Sequence, residues 1–332
     1  MNPINTKPEH IPVSFLLITY KQEQFIREAV AGVLAQTYSP LEIILSDDNS
    51  PDRTFEIMQE MAAAYRGPHK IILNRNLKNL GIGGHINRGM ELASGEIIVV
   101  GAGDDISLPE RVERIQSEFA AANGKAMAVF SDMTEIDGNG NFLKYADTRP
   151  RPGFNNPVQC CRNMLEGITG ASNAWHRKVF DIFGPLQPGV VFEDRVIALR
   201  AVLLGGFRHI SQPLVKYRRH ETNTVAMFHS ADLKQARRTL ECFLSAYRNS
   251  ASDLDTFINK IQPAFPEASR CRRMIRRRIN NLESYLQIHS GSPGWMIRGL
   301  FGLVLNGGNP LQGVKLYARV WRSGLASTTC LD

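Results

Sequence analysis

Short apolar runs alternate with amphipathic segments through the first half of this chain. Five runs rich in Val, Ile and Leu end in polar residues or glycine, at 13–20, 41–48, 70–74, 95–103 and 126–132. Strands buried on both faces of a parallel sheet have this composition. Between them, residues 25–34 and 55–65 carry apolar side chains at helical spacing. The alternation predicts an α/β fold with a mainly parallel central sheet flanked by helices.

The composition of the 332 residues, with 43% hydrophobic and 21% charged side chains, is that of an ordinary globular protein. The five cysteines include no Cys-x-x-Cys pair and no Cys/His cluster, which argues against a disulfide framework or a zinc site. The sequence shows no signal peptide and no apolar run of the roughly 18–20 residues that a membrane span needs. We therefore expect a cytoplasmic protein.

Polar residues follow three of the predicted strands. They are Thr19-Tyr20, residues 46–50 and Asp104-Asp105. Ligands of open parallel sheets bind beyond the carboxyl ends of the strands, so these clusters are predicted to meet at one edge. The two neighbouring carboxylates either form a solvated turn or bind a divalent cation that removes their repulsion. Gly101 and Gly103 would let a bulky ligand approach the backbone there.

The segment after Asp105 carries the start signal of a helix. Ser107 can cap the first turn while Glu110, three residues later, reaches back, and Pro109 suits the first turn. The sequence predicts that the next helix begins directly after Ser107.

Five segments, in this order, resemble the inverting, nucleotide-sugar-dependent glycosyltransferases of family 2, of the bacterial cell-surface polysaccharide type. They are VSFLLITYKQEQFIREAVAGVLAQTY, LEIILSDDNSPDRT, LGIGGHINRGMELASGEII, GDDISLPERV and FEDRVIALRAVLLGG. The resemblance covers roughly residues 12–220 and implies the GT-A fold. It also implies a catalytic domain over 1–225, whose N-terminal half binds the nucleotide sugar, and a basic helical extension over 226–332.

This resemblance implies a nucleotide-binding role for residues at the strand ends. Thr19 and Tyr20 lie where the family's nucleotide base usually sits, and Asp48 matches a carboxylate that accepts a hydrogen bond from a uracil or thymine ring nitrogen. A plain turn followed by a helix cap is the alternative for residues 47–50. The implied nucleotide-binding residues are Thr19, Tyr20, Glu23, Asp48, Asn87 and Asp104.

The resemblance further implies a divalent metal, Mg²⁺ or Mn²⁺, on the donor diphosphate. Asp104 and Asp105 match the family's acidic metal motif, with Asp105 as metal ligand and Asp104 nearer the ribose. His220 matches a histidine that can approach the metal, although a lone histidine is commonly structural. Ala102 replaces the first acid of the usual Asp-x-Asp, which keeps a catalytically inactive sugar-nucleotide-binding homologue as an alternative.

The Glu-Asp pair at 193–194 matches the family's catalytic motif. Asp194 is the candidate general base, which takes the proton of the acceptor hydroxyl as the new bond forms with inversion. Capping of the following helix is the alternative reading of this pair. For the acceptor or the diphosphate, the resemblance implies Glu193, Trp175 and Arg218. A core tryptophan is the alternative for Trp175, and a surface ion pair is the alternative for Arg218. A guanidinium suits a phosphate because it can donate two parallel hydrogen bonds.

Basic residues are concentrated near the C-terminus. Between Arg270 and Arg322 ten Lys or Arg residues accompany a single acid, Glu283, whereas the whole chain has a net charge of +7. Trp, Phe, Leu and Tyr are interspersed among them, as in an interfacial helix. This pattern predicts peripheral contact with an anionic membrane, at the cytoplasmic face of the inner membrane. An amphipathic helix packed on the catalytic domain is the alternative, and we expect no nucleic-acid binding because no known motif is present.

The predicted function is that of an inverting hexosyl- or deoxyhexosyltransferase. It would move a sugar from a UDP- or dTDP-sugar to a glycan or lipid-linked acceptor in surface polysaccharide synthesis. The alternatives are the inactive homologue and a basic membrane- or nucleic-acid-binding protein. A nucleotidyltransferase would need a glycine-rich basic loop after the first strand, which Ile-Thr-Tyr-Lys-Gln-Glu-Gln does not provide.

Overall fold

The computed structural model describes most of the chain in two compact units. The described residues are 11–146, 148–150, 153–162, 169–221, 223, 233–289, 293–306, 308–312 and 314–316. The first unit comprises Met1–Pro188 and Glu193–His220, and the second comprises Gly189–Phe192 and Glu221–Asp332.

A nine-stranded sheet forms the centre of the first unit. Its strands are β1 Val13–Thr19, β2 Glu42–Asp47, β3 Lys70–Arg75, β4 Ile97–Ala102, β5 Ile106–Ser107, β6 Ala128–Ile136, β7 Phe142–Ala146, β8 Ala174–His176 and β9 Phe207–Arg218. They follow the order β3-β2-β1-β4-β8-β6-β9-β5, with β7 paired to β6. Strands β1 to β4 are mutually parallel, as are β6 and β9, whereas β8 runs antiparallel to both of its neighbours. The predicted α/β fold with a mainly parallel sheet is confirmed.

Helices flank this sheet and bury apolar side chains. The helices of the first unit are α1 Ile26–Leu34, α2 Thr54–Ala64, α3 Gly81–Leu92, α4 Arg111–Ala121, α5 Pro157–Arg162, α6 Lys178–Asp181 and α7 Glu193–Leu204, with a short 3₁₀ helix at Gly170–Ser172. Helices α1, α2 and α4 bury theirs along one face, and α7 buries them around its whole circumference. Val30 of α1, Met58 of α2 and Ile115 of α4 join Phe15 and Ile43 of the sheet in one buried core cluster. Each such side chain contributes roughly 1.5–3 kcal/mol by leaving water.

Helix α4 begins later than its sequence signal predicts. Its first residue is Arg111, and no side chain caps it. Ser107 belongs instead to β5, where it pairs with Val215 of β9, and its hydroxyl accepts a hydrogen bond from Nη1 of Arg111 at 2.9 Å. The capping-box prediction is therefore wrong, because pairing with a distant strand takes the residue that would have capped the helix.

The described residues of the second unit include three long helices: α8 Leu233–Lys260, α9 Ala268–His289 and α10 Pro293–Leu305. Helix α10 packs closely on α9 through glycines. A Cβ at Gly299 would lie 2.5 Å from the carbonyl oxygen of Ser284, and one at Gly302 would lie 2.4 Å from the Ser284 hydroxyl. The predicted helical C-terminal region is thus present. Among the described helices, none combines the length and the apolar character that crossing a bilayer requires.

Candidate active site

The polar clusters that follow β1, β2 and β4 leave the sheet at one edge. Because these strands are parallel neighbours, Thr19 lies beside Asp47 and Ile18 beside Ala102. The amide of Asp48 donates to the carbonyl of Thr19 at 2.9 Å, and the amide of Gly103 donates to the carbonyl of Ile18 at 3.1 Å. The three clusters therefore converge.

The loop after β1 is held against the loop after β2. The amide of Lys21 donates to the Ser50 hydroxyl at 2.9 Å, next to Tyr20, which is 40% exposed. Glu23 is also exposed, and its carboxylate accepts from the amide of Arg53 at 3.2 Å. Thr19 is buried instead, with its hydroxyl directed at Ser46, Asp47 and Met58. Of the residues predicted to meet the base here, Tyr20 and Glu23 are accessible, whereas the Thr19 side chain is not.

The carboxylate of Asp48 organises the start of α3. Its Oδ1 accepts hydrogen bonds from Nδ2 of Asn76 at 2.8 Å and from the amide of Leu80 at 2.9 Å. Its Oδ2 accepts from the amide of Gly81 at 2.9 Å. A carboxylate has about four acceptor positions, so three donors leave one on Oδ2. Because Asp48 is only 2% exposed, its position is fixed before any ligand arrives.

His85 lies beneath this corner, and sequence reasoning missed it. Its Nε2 is 2.7 Å from the hydroxyl of Ser46, which also accepts from Nδ2 of Asn74 at 2.9 Å. Burial lowers the pKa of the imidazole in spite of the nearby Asp47 and Asp48 carboxylates. A neutral His85 therefore supports the polar end of β2. The sequence signal that could have found His85 is its spacing: it lies one helical turn after Gly81 and therefore on the same face of α3.

Asp104 and Asp105 differ sharply in their partners. Oδ2 of Asp104 lies 2.9 Å from Nε2 of His220, so the structure brings these two predicted site residues together. Oδ1 of Asp105 accepts from the amide of Arg218 at 2.9 Å, whereas its buried Oδ2 has no hydrogen-bond partner among the residues the structure describes. Burial, and then the neighbouring Asp104, raise the pKa of Asp105 well above its usual value. A carboxylate oxygen left unsatisfied in this way is positioned to bind a cation.

The guanidinium of Arg218 is buried and committed to the protein. Its Nε donates to the carbonyl of Asp104 at 3.0 Å, and its Nη2 donates to Glu28 at 3.0 Å. Nη1 donates to the carbonyl of Gly138 at 3.0 Å, and the group lies 4.9 Å from the ring centroid of Phe25. Arg218 therefore braces the acidic pair from behind. Its Nε, Nη1 and Nη2 all donate to protein groups, and its contact with the acceptor or the diphosphate stays a prediction.

Arg111, another residue that sequence reasoning missed, connects the end of β4 with the 3₁₀ helix. Its Nη2 donates to the carbonyl of Val100 at 2.7 Å and to that of Ala171 at 3.0 Å. Complete burial lowers the pKa of Arg111 to about 9, and the negative charge of Asp105 opposes that shift. Within the helical pattern of residues 111–121 this arginine gives no sign that it is buried.

The 3₁₀ helix carries this connection to the Glu193-Asp194 pair. A Cβ at Gly170 would lie 2.8 Å from Oε1 of Glu193, and the amide of Gly170 donates to Asp194. Burial, and then the adjacent Asp194, raise the pKa of Glu193 to about 8. Burial also raises the pKa of Asp194, against the opposing effect of Arg195. Hydrogen bonds therefore run from the end of β4 through Arg111 to the 3₁₀ helix and on to Asp194, while Asp105 interacts with Arg111 electrostatically.

The side chains of two other residues that were predicted to contact ligands, Trp175 and Asn87, pack against the protein. Trp175 is 1% exposed and stacks on Phe180 with ring centroids 5.9 Å apart, so its side chain packs in the core. The side-chain amide of Asn87 pairs in both directions with the backbone of Leu186, each bond being 2.8 Å long. Asn87 thus fastens α3 to the segment before α7. The predicted ligand contacts of Trp175 and Asn87 stay predictions, which these placements do not support.

The donor set at this edge fits a hard divalent ion held by few protein ligands. Among the described residues, no three His, Cys, Asp or Glu side chains form a group that could enclose a metal. Mg²⁺ commonly takes only one or two protein carboxylates and completes its shell with water and phosphate oxygens. The unsatisfied Oδ2 of Asp105 suits that arrangement.

Comparison with known proteins gives the class of this fold and site. Solved structures of similar fold include residues 1–349 of S. aureus TarS in complex with UDP-GlcNAc, with a TM-score of 0.55 and 14% identity over 95% of this chain and 91% of that one. The mannosyltransferase PcManGT of Pyrobaculum calidifontis, in complex with GDP-Man and Mn²⁺, gives a TM-score of 0.51 at 16% identity over 98% and 90%. The protein has the GT-A fold of glycosyltransferases.

The sequence family is equally defined. Residues 14–183, just over half of the chain, match the model of glycosyl transferase family 2, and the chain belongs to that family. An uncharacterised glycosyltransferase of Nostoc sp. is 25% identical over 239 residues, which cover 68% of this chain and 70% of the relative. Chondroitin synthase of Escherichia coli is 28% identical over 220 residues, 64% of this chain but 29% of that protein.

Proposed function

We propose that this family 2 glycosyltransferase moves a sugar, with inversion, from a UDP- or dTDP-sugar to a glycan or lipid-linked acceptor in surface polysaccharide synthesis. The observation that carries the proposal is the connected set of carboxylates at one sheet edge. Asp105 presents a buried, unsatisfied oxygen there and interacts electrostatically with Arg111. Arg111 in turn donates hydrogen bonds to the carbonyls of Val100 and Ala171, which tie the end of β4 to the 3₁₀ helix. A backbone amide of that helix donates to Asp194.

The nucleotide end of the donor would lie between the loops after β1 and β2. Tyr20 is exposed there and offers a face on which a base can stack. Asp48 keeps one acceptor position on Oδ2 for a ring N–H of a pyrimidine. Its other positions are occupied, so the carboxylate needs little reorganisation when the base binds. TarS, a relative in fold, binds UDP-GlcNAc, which supports a nucleotide-sugar donor.

Asp105 would hold the divalent ion, Mg²⁺ or Mn²⁺, with Asp104 and His220 beside it. A bound ion there supplies positive charge that stabilises the departing diphosphate. The protein's own contribution is to fix the ligand, because Arg218 pins both Asp105 Oδ1 and the carbonyl of Asp104. His220 holds Asp104 through the 2.9 Å contact to its Oδ2.

Asp194 is the proposed general base. Glu193, with a pKa of about 8, is neutral at pH 7, so the adjacent Asp194 can carry the negative charge of the pair without repulsion from it. A carboxylate whose pKa is raised toward neutrality accepts the proton of an attacking hydroxyl more readily than an ordinary one. The amide donated by Gly170 orients the Asp194 carboxylate.

The test is Asp194→Asn, with Glu193→Gln as the matched neighbour. We expect Asp194→Asn to abolish sugar transfer while the Kd for the nucleotide sugar changes less than about threefold, because the base acts only on the acceptor. Glu193→Gln, which replaces a neutral acid with a neutral amide, should retain measurable transfer. Wild-type turnover in Asp194→Asn would refute the assignment. Donor binding without turnover in the wild-type protein would favour the inactive homologue that Ala102 suggests.

A further inference from the structure

Helix α9 presents a row of arginines to solvent. Arg272, Arg273, Arg276 and Arg277 are all exposed and recur at the spacing of one helical face. Together with Asn280 and the C-terminal end of α10, this face lines an open groove of about 700 Å³. The groove lies wholly within the second unit and includes no residue assigned above to catalysis.

The charge of this face is only partly neutralised. Arg272 forms an ion pair with Asp255 at 2.8 Å, in which both side chains are about half exposed. Across the described part of the chain, Arg273 and Arg276 form no hydrogen bond or ion pair. An external anion can therefore pair with these two cations without displacing a partner among the described residues.

Helix α10 adds a row of apolar side chains beside the arginines. Ile297, Phe301, Val304 and Leu305 are 63%, 64%, 60% and 69% exposed, and they occur at positions i, i+4, i+7 and i+8 of one face. The opposite face is anchored on α9 through Gly299, Gly302 and the buried Leu303. Val304 and Leu305 line the same groove as the arginines.

We propose that the exposed arginines of α9 and the exposed apolar row of α10 form one surface. This surface docks on a bilayer that contains anionic phospholipids. The guanidinium groups would meet headgroup phosphates, and the apolar row would enter the interface below them. Charge complementarity selects an anionic partner. The adjacent exposed apolar row selects a lipid surface over a duplex nucleic acid, because a duplex backbone offers phosphates but no apolar layer for these side chains to enter. Docking here would bring the enzyme to a surface where lipid-linked acceptors reside, but it does not depend on the catalytic assignment.

Vesicle flotation of the full chain tests this proposal. Wild-type protein should float with vesicles of phosphatidylcholine containing phosphatidylglycerol and remain unbound with phosphatidylcholine alone. Arg273→Glu/Arg276→Glu should bind about 10–100-fold more weakly, because each basic residue near an anionic leaflet contributes about 1 kcal/mol and reversal removes more. Phe301→Ser/Leu305→Ser should also weaken binding while leaving the exposed arginines in place.

The matched control is Lys125→Glu/Arg208→Glu, two exposed residues of the first unit with the same change in net charge. It should bind vesicles as wild type does. All four proteins should give the same circular dichroism spectrum, since the altered side chains are exposed. Equal binding by the arginine variant and the control would overturn the proposal, as would wild-type binding to duplex DNA but not to vesicles. Loss of vesicle binding in inorganic phosphate, but not in chloride of equal ionic strength, would show a soluble-phosphate site and would also overturn it.

Discussion

Replacement of Arg111 by methionine tests the connection between the two halves of the site. The change removes donors to the carbonyls of Val100 and Ala171, at 2.7 and 3.0 Å, and leaves both buried. Each unsatisfied acceptor costs about 1–3 kcal/mol. Methionine also removes a buried cation, whose desolvation is large enough to lower the pKa of Arg111 to about 9. Removal of this desolvation cost offsets part of the cost of the two unsatisfied carbonyls, so we expect a net destabilisation of about 2–3 kcal/mol.

Such a loss corresponds to a fall in Tm of about 4–10 °C, measured by differential scanning calorimetry. The 3₁₀ helix that contacts Glu193 and Asp194 also loses its tie to β4, so kcat should fall at least about tenfold while KM for the donor changes little. Arg200→Met is the control. Arg200 is equally buried but donates to the carbonyls of Val179 and Gly184, so it should lower Tm similarly without the loss in kcat of the folded enzyme. Full activity in Arg111→Met, or an equal fall in kcat for both variants, would refute the reasoning.

Four further substitutions give expected outcomes. Because the pKa of Glu193 is raised to about 8, protonation of Glu193 contributes stability that is complete below about pH 4.5 and is lost as the pH rises toward 8. Glu193→Gln should therefore reduce the decline in unfolding free energy over that pH range by about 1–3 kcal/mol. Urea denaturation at several pH values measures this difference. Asp48→Asn keeps one oxygen but replaces the other with a donor, so one of the two backbone amides, of Leu80 or Gly81, loses its acceptor. The substitution should lower stability by about 1–3 kcal/mol and weaken UDP binding in calorimetry; unchanged binding would remove Asp48 from the donor site. Gly103→Ala places a Cβ 2.8 Å from Cγ2 of Thr19 and should cost about 1–3 kcal/mol by thermal unfolding, an effect that an unchanged Tm would disprove. Trp175→Phe should lower Tm but leave KM for the acceptor unchanged, and a raised acceptor KM would restore Trp175 to the acceptor site.

The sheet and its functional edge were predictable because their signals are local. Apolar runs specify buried parallel strands, and polar residues directly after them must lie at the carboxyl edge. For this reason residues 46–50 and Asp104-Asp105 converge as predicted. The family motifs then supplied roles that the residues alone left open.

A different physical cause explains why three predicted ligand residues lie among protein partners. Arg218, Asn87 and Trp175 match motifs whose residue types suit ligands, but each is committed to the protein by partners distant in sequence, such as Glu28, Leu186 and Met90. The missed residues Arg111 and His85 are likewise polar groups buried by tertiary contacts. Periodicity reports which face of an element is apolar, and it cannot report that a charged side chain is satisfied inside the core.

The central claim is that the strand-edge carboxylates bind a nucleoside diphosphate through a divalent ion. Isothermal titration of UDP into the wild-type protein, with Mn²⁺ and with EDTA, tests it most directly when Asp105→Ala is titrated in parallel. We predict binding that depends on Mn²⁺ in the wild type and is weakened at least about tenfold by Asp105→Ala, because that substitution removes the unsatisfied oxygen at the edge. Equal affinity of Asp105→Ala and wild type in Mn²⁺ would contradict the account.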